Sequence, residues 1–202
     1  MSNPQDGMCE DLAGSQVAHL VRRARGGDLG AFDTLVGRFQ RKAAAVAYRL
    51  LNNLDDAMEI SQDAFLRAYE KLGTLSKPER FGPWLMRIVS NLALNRRRSR
   101  ALRSTVSLDA SGTRDEGRAE VNLPDARSHT PAEIASAGEM QERLARALED
   151  LPQMQREALV LFSMGKMPQK QVAEMLGCSV EAVKWHVFTA RKKLKEVLKE
   201  YL

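Results

Sequence analysis

The segment VEAVKWHVFTARKKLKEVL, from Val180 to Leu198, interleaves cations with two large aromatic side chains. On a helix its apolar residues fall on one side at spacings of three and four, and an aromatic and cationic face is left on the other side. The apolar stripe comprises Val180, Val183, Val187, Ala190, Leu194, Val197 and Tyr201. The opposite face comprises Glu181, Trp185, Phe188, Thr189 and Lys192, with Lys184 and Lys195 at its edge. Exposed apolar groups ringed by cations are typical of a contact surface, and a helix fits the DNA major groove. The pattern favours binding to duplex DNA; the alternative is that Trp185 and Phe188 pack against a neighbouring helix.

A second candidate surface lies on FGPWLMRIVSNLALNRRRSR, predicted to form a helix from Pro83 to about Arg100. Its inward residues are predicted to be Leu85, Ile88, Val89 and Leu92, and its outer side carries Arg87, Asn91, Leu94 and Arg98, with Trp84 and Asn95 near the edge. This combination suits single-stranded DNA, because cations hold the backbone, amides read base edges and bases stack on an aromatic ring. Trp84 could instead belong to the core.

Two basic runs predict phosphate contacts at separate places, although a solvated face is the simpler interpretation of each. The first run contains Arg96, Arg97, Arg98, Arg100 and Arg103, and the second contains Arg191, Lys192, Lys193 and Lys195. Each run lies on a helix that has other unusual features. Their joint presence favours nucleic acid as a partner.

An acidic stripe follows one side of a third predicted helix, although like charges at helical spacing destabilise an isolated helix. Its members are Asp55, Asp56, Glu59, Asp63 and Glu70, with Gln62 and Leu66 among them. One interpretation is a docking face for a basic protein surface, and the other is a solvated face that aids solubility. Catalysis is not indicated, because nothing in the sequence suggests burial that would raise a carboxyl pKa.

Residues that could hold a metal or a cofactor are too scattered to form a recognisable site. Cys9 and Cys178 form no CxxC pair and are expected to be free thiols, and His19, His129 and His186 are far apart. The GGDLG stretch lacks the Gly-Lys-Ser/Thr ending of a phosphate-binding loop, so it indicates helix punctuation. We expect no metal, no cofactor and no enzymatic activity.

The helices that position these surfaces can be placed from caps and periodicity. Residues 1–14 are expected to be mobile and to precede a short helix from Val17 to Arg25. Asp28 is the predicted N-cap of the next helix, and Asp55 or Asp56 that of the acidic helix. The inward stripes are Phe32, Leu35, Val36, Phe39, Ala43, Val46, Ala47 and Leu50 on the first of these helices, then Ala57, Ile60, Ala64, Phe65, Ala68 and Leu72 on the second.

The C-terminal half is also predicted to be helical. A stripe of Met140, Leu144, Ala147, Leu148 and Leu151 precedes a helix from Gln153 to Met164, whose inward residues are Met154, Ala158, Leu161 and Phe162. Pro168 suits the first turn of a short helix ending at Gly177, where a left-handed conformation is expected, and Ser179 is the predicted N-cap of the long helix. This pair has helix-turn-helix proportions.

Composition agrees with an all-α protein, because strand-like alternation is nearly absent from the 202 residues and 44% of them are hydrophobic. We predict two small helical domains joined by a flexible linker, the C-terminal one containing the helix-turn-helix. The predicted bounds are 1–14 for a flexible N-terminus, 15–103 for the first domain, 104–131 for the linker and 132–202 for the second domain. No long apolar run or leader pattern is present, so we expect a cytoplasmic protein without membrane insertion.

Four ordered blocks in this chain resemble the extracytoplasmic-function (ECF) group of bacterial RNA polymerase sigma factors. The blocks are GDLGAFDTLV, DDAMEISQDAFLRAYEKL, FGPWLMRIVSNLALNRRR and LEDLPQMQREALVLFSMGKMPQKQVAEMLGCSVEAVKWHVFTARKKL. The resemblance implies binding to RNA polymerase core, promoter recognition and assistance in promoter melting. It also implies an anti-sigma partner.

The resemblance assigns a role to each candidate surface. Asp56, Glu59, Gln62, Asp63 and Leu66 would dock on the clamp coiled coil of the largest polymerase subunit. The loop from Gly73 to Phe81 would bind the non-template strand of the minus-ten element, including a flipped base, together with Arg87, Asn91, Asn95 and Arg98. Lys184, Trp185, Phe188 and Thr189 would contact the duplex minus-thirty-five element, and Arg191 and Lys192 its phosphates.

Two departures from the family pattern limit what can be carried over. Gln171-Val172-Ala173 stands where the family often has Glu-Ile-Ala, and Trp185 and Thr189 stand where smaller or basic residues are frequent. The promoter sequence therefore cannot be borrowed from a relative. The alternatives are a dimeric helix-turn-helix regulator that acts on duplex DNA without polymerase core, and a helical adaptor that does not bind DNA.

Overall fold

A computed structural model describes residues 4–106, 140 and 143–199 of the chain, with side chains over 14–100, 140 and 143–199. Within these ranges every regular element is a helix, and the chain divides into two compact units between Asp115 and Glu116. The expectation of an all-α protein with two helical units is confirmed. Most of the predicted linker lies outside the described residues, and the predicted domain bounds stay predictions.

The first unit contains four helices, which are α1 (Pro4–Arg25), α2 (Leu29–Leu51), α3 (Leu54–Glu70) and α4 (Phe81–Val106). Two short 3-10 turns, Leu72–Thr74 and Pro78–Arg80, connect α3 to α4. Helices α2, α3 and α4 pack on one another, and α1 packs on α2 and on the second 3-10 turn. Their shared core is fully buried at Val21, Leu35, Val46, Leu50, Phe81, Leu85, Met86 and Val89.

Helix α1 begins at Pro4, so it is longer than the helix predicted from Val17. The added residues include the helix formers Glu10, Leu12 and Ala13, together with poorer ones such as Gly7 and Asp11. No apolar pattern marks these residues, which is why periodicity alone did not reveal the helix.

The predicted cap of α2 is confirmed and that of α3 is wrong. Asp28 Oδ1 accepts a hydrogen bond from the Ala31 backbone N–H at 3.0 Å, and this bond, followed by the pairing with Arg23, holds the pKa of Asp28 below its ordinary value. At α3 the N-cap is Asn53, whose side-chain oxygen accepts from the Asp56 N–H at 2.9 Å. Because the helix starts at Leu54, Asn53 stands at the cap position, and Asp56 lies too far into the first turn to serve as cap.

The buried side of α4 differs from the predicted side by about one residue. Leu85 and Val89 are buried as predicted, but Ile88 and Leu92 are only partly buried, and Met86, Ser90, Ala93 and Leu94 are buried in addition. The reason is that α4 packs on both α2 and α3, which makes its buried face broader than a single stripe. Leu94 belongs to that face and not to the outer side.

Helix α4 approaches α2 closely at Gly82. A Cβ atom at Gly82 would lie 2.9 Å from Phe39 Cε1. The Phe39 ring also packs edge-on against Phe81, with 5.4 Å between the centroids, and Phe81 is fully buried. The helix begins at Phe81 and contains Pro83 in its first turn. Proline is tolerated there because a backbone N–H at such a position would have no partner within the helix, so its absence costs no hydrogen bond.

The second unit contains helical residues 143–149 (α5), then α6 (Gln153–Leu159), α7 (Gln169–Leu176) and α8 (Val180–Val197). The helix predicted from Gln153 to Met164 changes to one π-helical turn at Val160–Met164. Gly177 has a φ of +68°, and Ser179 Oγ accepts from the Ala182 N–H at 3.1 Å, so the predicted turn between α7 and α8 is confirmed.

The apolar stripe of α8 is buried over only part of its length. Val183, Val187 and Ala190 are buried, whereas Leu194 is partly exposed, Val197 is exposed and Tyr201 lies outside the described residues. An 18-residue helix is about 27 Å long, whereas the seven and eight residues of α6 and α7 span about 11–12 Å each. The short neighbours cannot cover the whole of α8. Among the described residues, no helix has both the length and the apolar character needed to cross a membrane.

The close approach at Gly82 predicts that Gly82→Ala destabilises the first unit by about 1–3 kcal/mol, because the added methyl group overlaps the Phe39 ring. Gly37→Ala in α2 is the matched control. Its new Cβ meets no atom within 4 Å, and the exchange should stabilise by about 0.5–1 kcal/mol. Urea unfolding followed by Trp84 fluorescence in a Trp185→Phe background measures both changes. A Gly82→Ala protein as stable as Gly37→Ala would contradict the close approach.

Candidate nucleic-acid interface

The α8 surface lies on the second helix of the helix-turn-helix. Trp185 is 57% exposed and Phe188 69% exposed, so burial of these rings against a neighbouring helix of the unit is excluded. Lys184 and Lys192 are exposed beside them, and Thr189 is partly exposed. The backbone beneath is held by Val183 and Val187, which are buried. The five predicted residues therefore form one continuous face on a rigid helix.

Arg191 differs from the other cations of this helix because it already contacts its own unit. Its guanidinium lies 5.4 Å from the centroid of the Phe162 ring, and its Nη2 donates to Ser163 Oγ at 3.4 Å. The side chain remains exposed. It can meet a phosphate only from the edge of the α8 surface.

The α4 surface brings the four predicted residues together. Arg87, Asn91, Asn95 and Arg98 are all exposed, and they follow one another at spacings of three and four. Trp84 is half-buried at the edge of this face, with its ring 5.9 Å from that of Phe81. Guanidinium groups and amides on one helix side can bind a phosphate backbone and base edges together.

The first basic run does not act as one block, because two of its arginines turn towards α3. Arg96 donates from Nη1 to Asp56 Oδ1 at 3.2 Å and to Glu59 Oε2 at 3.1 Å, and its Nη2 donates to Glu59 Oε1 at 2.5 Å. Arg100 forms an ion pair with the other oxygen of Asp56. The expected phosphate contacts of Arg96 and Arg100 are therefore replaced, in this structure, by contacts within the unit.

The acidic stripe of α3 is divided in the same way. Asp56 is only 6% exposed and faces α4, so its placement on an outer face was wrong. The other members of the predicted set remain accessible: Glu59, Gln62 and Leu66 are exposed, and Asp63 is partly exposed. An open groove beside them is lined by Asp63, Leu66, Arg67, Glu70 and Lys71.

Two apolar residues on this face were missed. Met58 and Tyr69 are exposed, and with Gln62 and Leu66 they follow spacings of four, four and three along α3. Tyr69 is supported from below by Phe32, with 4.9 Å between the ring centroids. The same periodicity that gave the inner stripe could have revealed this second line. An exposed apolar line flanked by carboxylates is typical of a protein contact surface.

The titration of Glu59 follows from its pairing with Arg96. The hydrogen bonds and the charge of Arg96 hold the pKa of Glu59 below its ordinary value of 4.5, and Glu59 in turn raises the pKa of Arg96. Both groups are ionised at neutral pH. Over the described residues, no cluster of three His, Cys, Asp or Glu side chains could hold a metal ion.

The lowered pKa predicts that Arg96→Gln returns the pKa of Glu59 towards 4.5. A carboxyl group with a lowered folded pKa contributes stability above its unfolded pKa and loses that contribution as the pH falls through the folded pKa. The stability difference between wild type and Arg96→Gln should therefore be largest above pH 4.5 and shrink below it. Urea midpoints across this range, with an NMR titration of the Glu59 carboxyl carbon, measure the effect.

Arg87→Gln is the control, since it removes the same charge from the exposed side of α4. It should leave the titration of Glu59 unchanged. The pairing is refuted if Glu59 titrates identically in wild type and Arg96→Gln.

Comparison with known families agrees with this division into two helical units. Residues 35–103 match the family model of Sigma-70 region 2, and residues 141–194 match that of Sigma-70 region 4. The two matches together span more than half of the chain and lie in separate units. The first match includes the α3 surface, formed by Glu59, Gln62, Asp63 and Leu66, and the α4 surface. The second match includes the helix-turn-helix.

Known proteins similar to this chain match it over almost their full length. The RNA polymerase sigma-H factor of Pseudomonas aeruginosa is 28% identical over 191 residues, which are 95% of this chain and 98% of that protein. The ECF RNA polymerase sigma factor SigW of Bacillus subtilis is 27% identical over 180 residues, which are 89% of this chain and 95% of that protein.

A solved structure shows the same fold. The sigma factor RpoE from Bartonella quintana, in complex with the anti-sigma factor NepR, has a TM-score of 0.53 at 22% identity, over 83% of this chain and 96% of that chain. Sigma factors are in general DNA-recognition proteins without catalytic activity. With both sigma-70 regions present in order, and with relatives of the ECF type, the chain belongs to the sigma-70 family and is an ECF-type RNA polymerase sigma factor.

Proposed function

We propose that this sigma factor divides its work among three surfaces, on α3, α4 and α8. The α3 surface binds RNA polymerase core, the α4 surface holds the unpaired minus-ten strand, and the α8 surface binds the duplex minus-thirty-five element. The observation that carries the proposal is the exposure of Trp185 and Phe188 on the second helix of a helix-turn-helix. Two large aromatic rings exposed on one helix among cations are typical of a surface that a partner covers.

Core docking is assigned to the accessible part of the α3 face. Leu66 supplies apolar contact area, Gln62 supplies an amide, and Asp63 and Glu59 supply charge for a basic surface on the clamp coiled coil of the largest subunit. Asp56 supports this face from behind, because it is buried and paired with Arg96 and Arg100. Its role is to hold α3 against α4, in contrast to the direct contact that the family resemblance implies.

Minus-ten recognition is assigned to α4. Arg87 and Arg98 neutralise phosphates, and Asn91 and Asn95 meet base edges of the non-template strand. Each stacked base contributes about 1–3 kcal/mol, which offsets the lost pairing and shifts the promoter towards the open form. Lys184, Trp185, Phe188 and Thr189 meet the minus-thirty-five groove, with Lys192 and Arg191 on its phosphates.

The proposal includes no catalytic step by the chain itself. Its described residues offer charged, amide and aromatic side chains for binding, and nucleotide chemistry is left to the polymerase. The chain is proposed to act in the cytoplasm and to be controlled by an anti-sigma factor that covers these surfaces. Support for that partner is the NepR complex of the similarly folded RpoE.

The deciding experiment is promoter-directed transcription by purified core polymerase with and without the full chain, on genomic fragments from its own organism. We expect start sites that depend on the chain, with footprints over the minus-thirty-five and minus-ten regions. A complete lack of stimulation on every fragment would contradict the proposal. Duplex binding that persists without core binding would favour a helix-turn-helix regulator instead.

The α3 assignment predicts that Leu66→Ala and Asp63→Lys each weaken core binding by about 10- to 30-fold, because central contacts of this kind exceed 1 kcal/mol. Asp33→Lys is the control, since it makes the same charge change at an exposed position of α2. Fluorescence anisotropy of labelled chain with core measures affinity. Equal affinities for Asp63→Lys and Asp33→Lys would remove the assignment.

The α8 assignment predicts two separable effects on binding to the promoter duplex. Lys192→Ala should lower the slope of log affinity against log salt by about one, because one phosphate contact is lost. Trp185→Ala should reduce the preference for promoter over unrelated duplex and leave the slope unchanged. Arg38→Ala, an exposed cation of α2, is the control. An unchanged preference in Trp185→Ala would exclude this ring from sequence recognition.

A further inference from the structure

The segment between α3 and α4 presents polar side chains from a backbone that is held at both ends. Ser76, Lys77, Glu79 and Arg80 are exposed, whereas Leu72 and Leu75 before them and Phe81 after them are buried. Only short turns support the backbone between these points, with the Arg80 N–H donating to the Lys77 carbonyl at 2.9 Å. A segment of this kind keeps one shape only if its ends are fixed.

The first end is fixed by Arg25, the last residue of α1. Its Nε donates to the carbonyl oxygen of Leu72 at 3.0 Å, and its Nη2 donates to the carbonyl oxygen of Leu75. The two carbonyls lie 47 and 50 residues away in sequence, one on the first residue of the turn at Leu72–Thr74 and the other on the residue that follows it. One guanidinium therefore clamps both sides of this turn, and its contacts to the two carbonyls are charge-assisted.

The second end is fixed by aromatic packing. Phe81 lies between Phe39 and Trp84, at 5.4 Å and 5.9 Å between ring centroids, and the neighbouring Gly82 lets the backbone approach the Phe39 ring. This packing locates the end of the segment. Its start is held by the burial of Leu72 and Leu75, and the two hydrogen bonds of Arg25 add a restraint from another helix.

We propose that Arg25 is a positioning residue that fixes the segment from Leu72 to Arg80 in the shape needed to capture an unpaired promoter base. The inference rests on the proposed function, in which α4 meets the minus-ten strand, and on the family resemblance, which implies that the loop from Gly73 to Phe81 binds the same strand. Arg25 does not touch DNA in this role. It reduces the ordering that base capture requires, which raises affinity without adding a contact.

The guanidinium suits this task better than other side chains. It stays charged at all working pH values, and its rigid fork of donors can meet two carbonyl oxygens at once. A lysine would keep the charge, but its single nitrogen atom at the end of a flexible chain holds two acceptors less well. Arg25→Lys therefore separates positioning from charge.

The restraint itself is tested by hydrogen exchange on the full chain, independently of any DNA. Arg25→Ala should accelerate exchange of the Thr74 and Leu75 amides by at least about tenfold, because opening of the turn no longer breaks two bonds from Arg25. Arg25→Lys should change exchange in the same direction. Arg22→Ala, an exposed cation one turn earlier on α1, should leave it unchanged. If the Thr74 and Leu75 amides of Arg25→Ala exchanged at the wild-type rate, the proposal would be overturned.

Base capture is tested with holoenzyme reconstituted from core and full chain, on a promoter from which it starts transcription. The probes are the single-stranded non-template minus-ten segment of that promoter and the same strands with one abasic position each. With wild type, one abasic position should weaken binding by roughly 5- to 150-fold, as expected for loss of a stacked base. With Arg25→Ala, the ratio of the affinity for the intact strand to that for the abasic strand should fall towards one. With Arg22→Ala, this ratio should keep its wild-type value.

The outcomes separate this proposal from the proposed function. If no promoter supports transcription, the proposed function fails, and the exchange experiment alone decides whether Arg25 holds the turn. If transcription occurs but Arg25→Ala weakens intact and abasic strands equally, Arg25 has only a general structural role and the proposal is overturned. The proposal is also overturned if wild type shows no abasic penalty at any position.

Discussion

The carboxylate of Asp56 lies inside the contact between α3 and α4, where a charge is tolerated only if cations neutralise it. Arg96 and Arg100 do so from α4. They are four residues apart, so they lie on one side of that helix and fix its rotation against α3. Arg87, Asn91 and Arg98 are consequently held on the exposed side. One buried acid thus determines that Arg96 and Arg100 of the basic run turn towards α3.

The same pairing links the α3 surface to α4. Arg96 donates hydrogen bonds to both Asp56 and Glu59, and Glu59 is also accessible on the α3 face. A basic group of a partner that approaches Glu59 competes with Arg96 for one carboxylate. The uncharged residues of that face, such as Leu66, Gln62 and Met58, form no ion pair with the described residues of the unit. They can contribute to docking without first breaking an ion pair.

The α8 surface depends on a different feature: α8 is longer than α6 and α7, the helices on which it packs. Buried valines hold the first half of α8 on α6 and α7, and the exposed rings of Trp185 and Phe188 lie over this supported half. A binding face on a well-packed helix keeps its side chains in register with a groove, whereas a face on an unsupported end would not. The turn at Gly177 and the cap at Ser179 fix where that helix begins.

The amino-acid sequence predicted the order of the helices, most of the inner stripes of α2 and α3, the cap at Asp28 and the helix-turn-helix, and it favoured the outward placement of Trp185 and Phe188. These features follow from periodicity and local hydrogen bonding, which depend on neighbours within a few residues. Four other features depend on tertiary packing: the burial of Asp56, the inward turn of Arg96 and Arg100, the place of Leu94 in the core, and the contacts of Arg25 with carbonyls about 50 residues away. Each of these depends on which helix lies opposite and on how far it extends, and periodicity within one helix carries no information about its neighbour.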